Sequence, residues 1–256
     1  GVLGAWRGGE SMRHEHVTGE LLAQWRCAAG TVLVGGRGAN RYLLHKMPDV
    51  CAVVDLGGDD VYIEGAVSGE RPLLVLIDLG GNDLYSGVTP GIQGGAILGA
   101  SLLVSVGGTN RFEALDVAQG SALGGVGLLM AAEGHNTYRG RCRVQGQAIG
   151  GLGLLLDRGG HDSYRAAMLS QGVGGPLGFG MLVDLDGDDH YYAGGLYSGG
   201  YPDSPGYGGW SQGVGAGAVG TAAAAGRGCG VRGSSGFPDM GSVRIDCDGE
   251  RVEPRA

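Results

Sequence analysis

One eight-residue phrase returns six times along this chain, and its return limits the fold more than any other feature. Asp55-Leu56-Gly57-Gly58-Asp59-Asp60-Val61-Tyr62 is followed by Asp78-Leu79-Gly80-Gly81-Asn82-Asp83-Leu84-Tyr85. Copies then run from Ser105 to Phe112, Ala131 to Tyr138, Asp157 to Tyr164 and Asp184 to Tyr191, and a degenerate one from Gly35 to Tyr42 opens the array. From Tyr42 to Tyr191 the steps are 20, 23, 27, 26, 26 and 27 residues. A second phrase keeps the same beat: Gln93-Gly94, Gln119-Gly120, Gln145-Gly146 and Gln171-Gly172. A fixed period of this size is the signature of a solenoid, in which each repeat is one coil.

Each coil holds short apolar segments between glycine-rich turns, none long enough for a helix. The Leu-x-x-Leu-x-Leu spacing of leucine-rich repeats is absent. The chain contains 58 glycines without a Gly-X-Y period, so collagen is excluded, and the ordinary apolar content argues against a disordered chain. These features predict an all-β fold: a parallel β-helix of about 26-residue coils, its strands stacked about 4.8 Å apart. The glycine in the fourth slot of each turn phrase marks a backbone with positive φ. Leu, Val and Ile before each turn are expected to point inward, and the Tyr or Phe ending each phrase to form an aromatic ladder on one face.

The ends differ from the middle. Residues 1–30 read as a cap, with His16–Ala28 a short amphipathic helix that Thr18 would N-cap and whose Leu21, Leu22 and Trp25 share one face. Residues 31–220 read as the solenoid. Residues 221–256 have lost the period and read as a non-repetitive tail. Gln171 to Gln212 spans 41 residues where about 26 are due, which places an aromatic-rich insertion at 192–211.

The turn phrase resembles a unit of the RTX calcium-binding repeat, carried by Gly80-Gly81-Asn82-Asp83-Leu84-Tyr85. The resemblance is confined to the turn, since the period here is about three times the nine-residue RTX unit. Over residues 32–213 the pairing of Gln-Gly with Gly-x-Asp-x-Tyr is similar to uncharacterised bacterial repeat proteins with a β-solenoid fold, a resemblance that implies architecture and no activity.

Eleven of the 17 aspartates fall in the six turn phrases. Equivalent carboxylates about 5 Å apart repel by roughly 3 kcal/mol at an effective dielectric near 20. Ca²⁺ shared between adjacent turns would relieve this. The candidate ligands are Asp55, Asp60, Asp78 and Asp83 in two early coils and Asp157, Asp162, Asp184 and Asp189 in two late ones. Ser105, Asn110, Ala131 and Asn136 hold the same slots between them, so two separated sites are expected. The competing reading has each aspartate cap its own turn amides and face solvent. Stacked Gln93, Gln119, Gln145 and Gln171 are expected to pass amide hydrogen bonds from coil to coil. His135, His161 and Asp188 share the fifth slot and read as surface turn residues.

In the insertion, Tyr192, Tyr197, Tyr201, Asp203, Tyr207 and Trp210 are candidate ligand-binding residues, able to stack on sugar faces. A net charge of −8 gives no footprint for nucleic acid, and no run of about 18 apolar residues would span a bilayer. The five cysteines are scattered and form no CxxC pair. No serine or cysteine nucleophile arrangement is visible. Two functions follow as expectations. The first is a non-enzymatic, extracytoplasmic scaffold, Ca²⁺-stabilised, that meets a glycan or another protein in envelope, adhesion or matrix contacts. The second is a carbohydrate-active β-helix enzyme, a polysaccharide lyase or glycoside hydrolase. That enzyme would need acids converging with Arg139 and Arg165 on one strand face, with Glu113 in the same slot.

Overall fold

The structure is a computed structural model that describes residues 12–193, together with residues 221–225 and 242–244. It is an all-β parallel solenoid, and among the described residues the one helical element is a 3₁₀ turn, Leu44–Lys46, in the first, shortest coil. Among the described residues no helix is long and apolar enough to cross a membrane.

One coil illustrates the rest. A six-residue strand, Val126–Ala131, leads into the turn phrase, and a three-residue strand, Thr137–Arg139, carries the phrase's tyrosine. Two shorter strands, Cys142–Val144 and Ala148–Ile149, flank Gln145-Gly146 before the next long strand begins at Leu152. Long strands stack on long strands in parallel, without a shift of register from Ala100 through Val126 and Leu152 to Phe179. Short strands do the same, so Tyr42, Tyr62, Tyr85, Phe112, Tyr138, Tyr164 and Tyr191 are all in register. The repeat phrase thus fixes strand pairing: a slip of one residue would turn every inward side chain outward.

The aromatic ladder lies inside the stack, where the sequence placed it only on a face. Its rings are parallel, with centroids 4.7–5.1 Å apart, and all but Tyr191 are fully buried. Leucines of the long strands, such as Leu76, Leu103, Leu129, Leu155 and Leu182, complete this core. A second, smaller core of Ile92, Ala118, Val144 and Ala166 fills the other side. The apolar residues before each turn do not all point inward. They alternate, so that Leu74, Leu76 and Asp78 face the interior while Leu73, Val75 and Ile77 face out.

The capping helix does not form. Val17–Cys27 is instead an antiparallel strand paired with Gly30–Gly35 and, at its start, with Arg41–Tyr42. The first coil would otherwise leave a row of unpaired backbone groups at its edge, and a strand satisfies them where a helix could not. The same segment carries period-2 apolar spacing, Leu21, Ala23 and Trp25, beside the helical one. Beyond the last complete coil, residues 221–225 add a parallel strand onto Phe179–Val183, and residues 242–244 add another.

Fourth-slot glycine has two causes here. Gly134 has φ +101°, and a Cβ on it would overlap the carbonyl oxygen of Gly108, one coil below. Gln93, Gln119, Gln145 and Gln171 also take positive φ, 54–59°, a cost that their side chains offset. Each buried amide bridges two backbone carbonyls. Gln119 Nε2 donates to Phe112 O at 3.0 Å in its own coil and to Arg139 O at 2.9 Å in the next. The glutamines therefore clamp coils through the backbone, and no amide-to-amide chain forms.

Candidate metal centres

The eight candidate aspartates are buried. None faces solvent, which overturns the solvent-facing turn-cap reading. For the first-slot acids the reason lies in strand alternation: two residues after an inward leucine or valine, the first slot of the turn phrase points inward too.

First-slot aspartates use their two oxygens differently. At Asp55, Asp78 and Asp157 one oxygen caps the turn, as Gly57 N–H donates to Asp55 Oδ1 at 2.9 Å, Gly80 N–H to Asp78 Oδ1 at 2.9 Å and Gly159 N–H to Asp157 Oδ1 at 3.2 Å. The other accepts the hydroxyl of a ladder tyrosine, usually from the coil before. Tyr42 donates to Asp55 at 2.5 Å, Tyr62 to Asp78 at 2.6 Å, Tyr138 to Asp157 at 2.7 Å and Tyr164 to Asp184 at 2.8 Å. Tyr191 adds a bond to Asp184 at 2.9 Å.

Sixth-slot residues cap the neighbouring coil. The backbone N–H of Asn40 donates to Asp60 Oδ1 (2.5 Å), that of Asp60 to Asp83 (2.8 Å), and that of Asp83 to Asn110 (2.9 Å). The ladder continues from Asn110 to Asn136, from Asn136 to Asp162 and from Asp162 to Asp189. Asparagine and aspartate serve equally as acceptors through Oδ1. They differ in the other side-chain atom. Asn40 and Asn136 donate Nδ2 to the carboxylates of Asp55 and Asp157, at 2.9 and 3.1 Å. Asp60, Asp83, Asp162 and Asp189 instead each present a buried Oδ2 with no hydrogen-bond partner, as does Oδ1 of Asp184.

These oxygens gather in two places. Asp60, Asp78 and Asp83 form one cluster, Asp162, Asp184 and Asp189 the other, each with ligand-capable atoms within 4.8 Å of one another. Asp55 and Asp157 stand outside both and are held by Tyr42 with Asn40 and by Tyr138 with Asn136. Burial, with the neighbouring carboxylates, drives the acids upward, against the lowering effect of the backbone amides that Asp60, Asp83 and Asp162 accept and of the tyrosine hydroxyls that Asp184 accepts. Asp60 and Asp184 rise to about 7, Asp83 and Asp162 to about 8. Burial also raises Asp78, Asp157 and Asp189. Such a group of carboxylates needs protons or a cation to coexist. A set made only of oxygens suits a hard divalent ion.

Sequence reasoning missed the tyrosine hydroxyls and the sixth-slot asparagines as partners of these acids. A signal existed: Phe112, the one ladder residue without a hydroxyl, is followed 19 residues later by Ala131, the one first-slot residue of the six full phrases without a side-chain oxygen. Glu64 was also missed. It is buried, accepts the Gln93 N–H at 2.8 Å, and is pushed up to about 7 by burial, against the amide bond and the charge of Arg71.

Elsewhere the candidates scatter. Tyr192 is exposed, with the Arg165 guanidinium 5.2 Å from its ring centre. Tyr197, Tyr201, Asp203, Tyr207 and Trp210 lie outside the described residues. His135 and His161 stack at 5.1 Å, and each Nδ1 accepts a backbone N–H from the next coil, of His161 and Asp188 respectively. Glu113 is in register with Arg139 and Arg165 but pairs with Arg111, at 2.5 Å. Comparison with protein-family models, curated proteins and solved structures gave no match. Fold and site together define a β-solenoid with two interior acidic clusters.

Proposed function

We propose that this chain is a non-enzymatic scaffold, extracytoplasmic, stabilised by two interior Ca²⁺ ions and offering its rigid outer faces to a glycan or protein partner in envelope, adhesion or matrix contacts. One observation carries the reading: the repeat acids point inward, where donorless carboxylate oxygens of Asp60 and Asp83 and of Asp162, Asp184 and Asp189 fall in two clusters, separated by coils whose equivalent slots carry no charge. Asp60, Asp78 and Asp83 would hold one ion, and Asp162, Asp184 and Asp189 the other. The ion supplies charge neutralisation that the tyrosine hydroxyls and backbone amides do not complete. The carbohydrate-active alternative loses support on the same ground. Acids inside the stack cannot reach a polysaccharide, and the acid beside Arg139, Glu113, is already paired.

A second reading draws on the asparagines. Because Asn136 Nδ2 donates to Asp157, a protonated aspartate in the same slot could donate likewise, so protons could replace the ions. Titration calorimetry of the chelator-stripped chain with Ca²⁺ and with Mg²⁺ separates the two. The scaffold reading expects saturable Ca²⁺ heat from two sites, one of which is lost in Asp162→Asn/Asp189→Asn. That variant should fold, since asparagine already occupies the sixth slot in three coils. No heat from either ion overturns the calcium part. Release of oligosaccharide from a panel of acidic and neutral polysaccharides overturns the non-enzymatic part.

A further inference from the structure

The outer face of the long-strand sheet is apolar from coil to coil. In the strands 73–78, 100–105, 126–131, 152–157 and 179–184, the three residues that point outward are hydrophobic in every case. They align in columns, one of which runs Val75, Leu102, Leu128, Leu154 and Met181. A further column lies one step past the buried first-slot residues, where Leu79, Val106 and Leu185 are 47%, 37% and 48% exposed. Its one charge is Arg158. The capping strand extends the face by placing Trp25, 44% exposed, opposite Val32.

Four columns about 7 Å apart and five rungs about 4.8 Å apart cover roughly 600 Å². A monomer seldom leaves a larger continuous apolar patch in water. The area approaches the roughly 800 Å² that each partner contributes to a stable interface, and Trp25 with the first two coils adds to it.

We infer that this face is where two copies of the chain meet. Three properties select a second copy as the occupant. The face is flat and without charge at its centre, so its partner must be flat and apolar as well. Its rungs repeat at the strand spacing, and another copy presents the same grid, which allows two sheets related by a two-fold axis to interleave their columns about 10 Å apart. With a net charge of −8, two chains repel over the rest of their surface, and this sheet, whose one charge is the cationic Arg158, is the side on which approach is least opposed. The contact does not depend on calcium, because the clusters lie behind the opposite, inward side of the same strands.

Sedimentation equilibrium of the full chain at micromolar concentration tests it. The expected mass is twice that of the chain. Leu128→Lys with Leu154→Lys should sediment as a single chain with an unchanged far-UV CD spectrum, while Arg139→Glu, on the short-strand face, should leave the dimer intact. Should the lysine pair disturb folding, Leu79→Glu with Val106→Glu places the charges on nearly half-exposed positions and should weaken dimerisation at least tenfold. A wild-type chain that sediments as a monomer across the micromolar range overturns the inference, whether a segment of the same chain covers the face or nothing does. A dimer that survives both paired variants with the same dissociation constant overturns it too.

Discussion

Phe112 and Ala131 occupy the places that a tyrosine and an aspartate hold two coils earlier at Tyr62 and Asp78, and one coil later at Tyr138 and Asp157. Hydroxyl and carboxylate are lost together, so this pair of positions buries neither a tyrosine hydroxyl without its acid nor an acid without its hydroxyl. The pairing predicts a strong coupling. Phe112→Tyr alone should cost about 1–2 kcal/mol, because its hydroxyl meets a methyl group. Ala131→Asp alone should cost about 2–3 kcal/mol for a buried carboxylate. Together they should recover at least 1 kcal/mol of the sum in urea unfolding. Simple additivity would mean that hydroxyl and carboxylate are independent.

The acidic clusters make stability depend on pH in an unusual direction. An aspartate ordinarily titrates near 4 in the unfolded chain, whereas Asp60, Asp83, Asp162 and Asp184 titrate at about 7 to 8 when folded. The folded state therefore holds the protons more tightly. Without a divalent ion, stability should be greatest below pH 4 to 5 as far as these groups are concerned, and should fall as pH rises to about 8. Saturating Ca²⁺ should cancel that fall, adding about 3 kcal/mol per site at a hundredfold excess over its Kd. Melting curves at pH 5, 6.5 and 8, with calcium and with chelator, measure both effects. A melting temperature that rises with pH in chelator would contradict the raised acids.

Glycine substitutions should separate backbone angle and close approach from mere composition. Gly134→Ala meets both a positive φ and the Gly108 carbonyl, and should cost at least about 2 kcal/mol. Gly107→Ala has open space around its Cβ and should stay within about 0.5 kcal/mol of wild type. Equal losses would show that the turn phrase needs glycine for some other reason.

Cys27 on the capping strand and Cys51 at the start of the second long strand have their Sγ atoms 3.9 Å apart. Hydrogen bonding from the backbone at Ala29 lowers the Cys27 thiol, which makes it the attacking thiolate, while burial raises Cys51. Oxidised glutathione should therefore join the two, releasing two reduced glutathiones, and leave Cys142 unlinked to either. The bridge closes a loop of about 25 residues and should stabilise the cap by about 3 kcal/mol. Peptide mapping without reduction reads the pairing. A Cys142-containing bridge, or none, would contradict the geometry.

The period, the parallel stacking and the fourth-slot glycine could all be read from the sequence, because each follows from spacing. Two features could not be read so directly. Val17–Cys27 carries helical spacing in Leu21, Leu22 and Trp25 as well as strand alternation, and only the exposed edge of the first coil decides between them. The direction of the aspartates was legible in principle, since Leu74, Leu76 and Asp78 fall on one alternation. Carboxylates in a polar turn argue for solvent, however, and the tyrosine hydroxyls that make burial tolerable lie a coil away. Asp60 lies with Asp83 and Asp162 with Asp189, joined by the first-slot acids Asp78 and Asp184, whereas Asp55 and Asp157 are bound by tyrosine and asparagine.

The sixth-slot ladder gives the stack a polarity. Each coil leaves one amide that only its successor can complete, from Asn40 to Asp60 and onward to Asp189. The joint works like a tongue cut to fit the next board and never the previous one. A coil of the 26-residue type could thus be added or removed within the middle of the array, provided its own sixth residue is Asp or Asn. The two ends of any such excised block are unequal: its first coil arrives with its side-chain acceptor idle, its last with a buried N–H unanswered. Lengthening the solenoid is therefore a matter of supplying the following coil, and a shortened one should fray from its C-terminal edge.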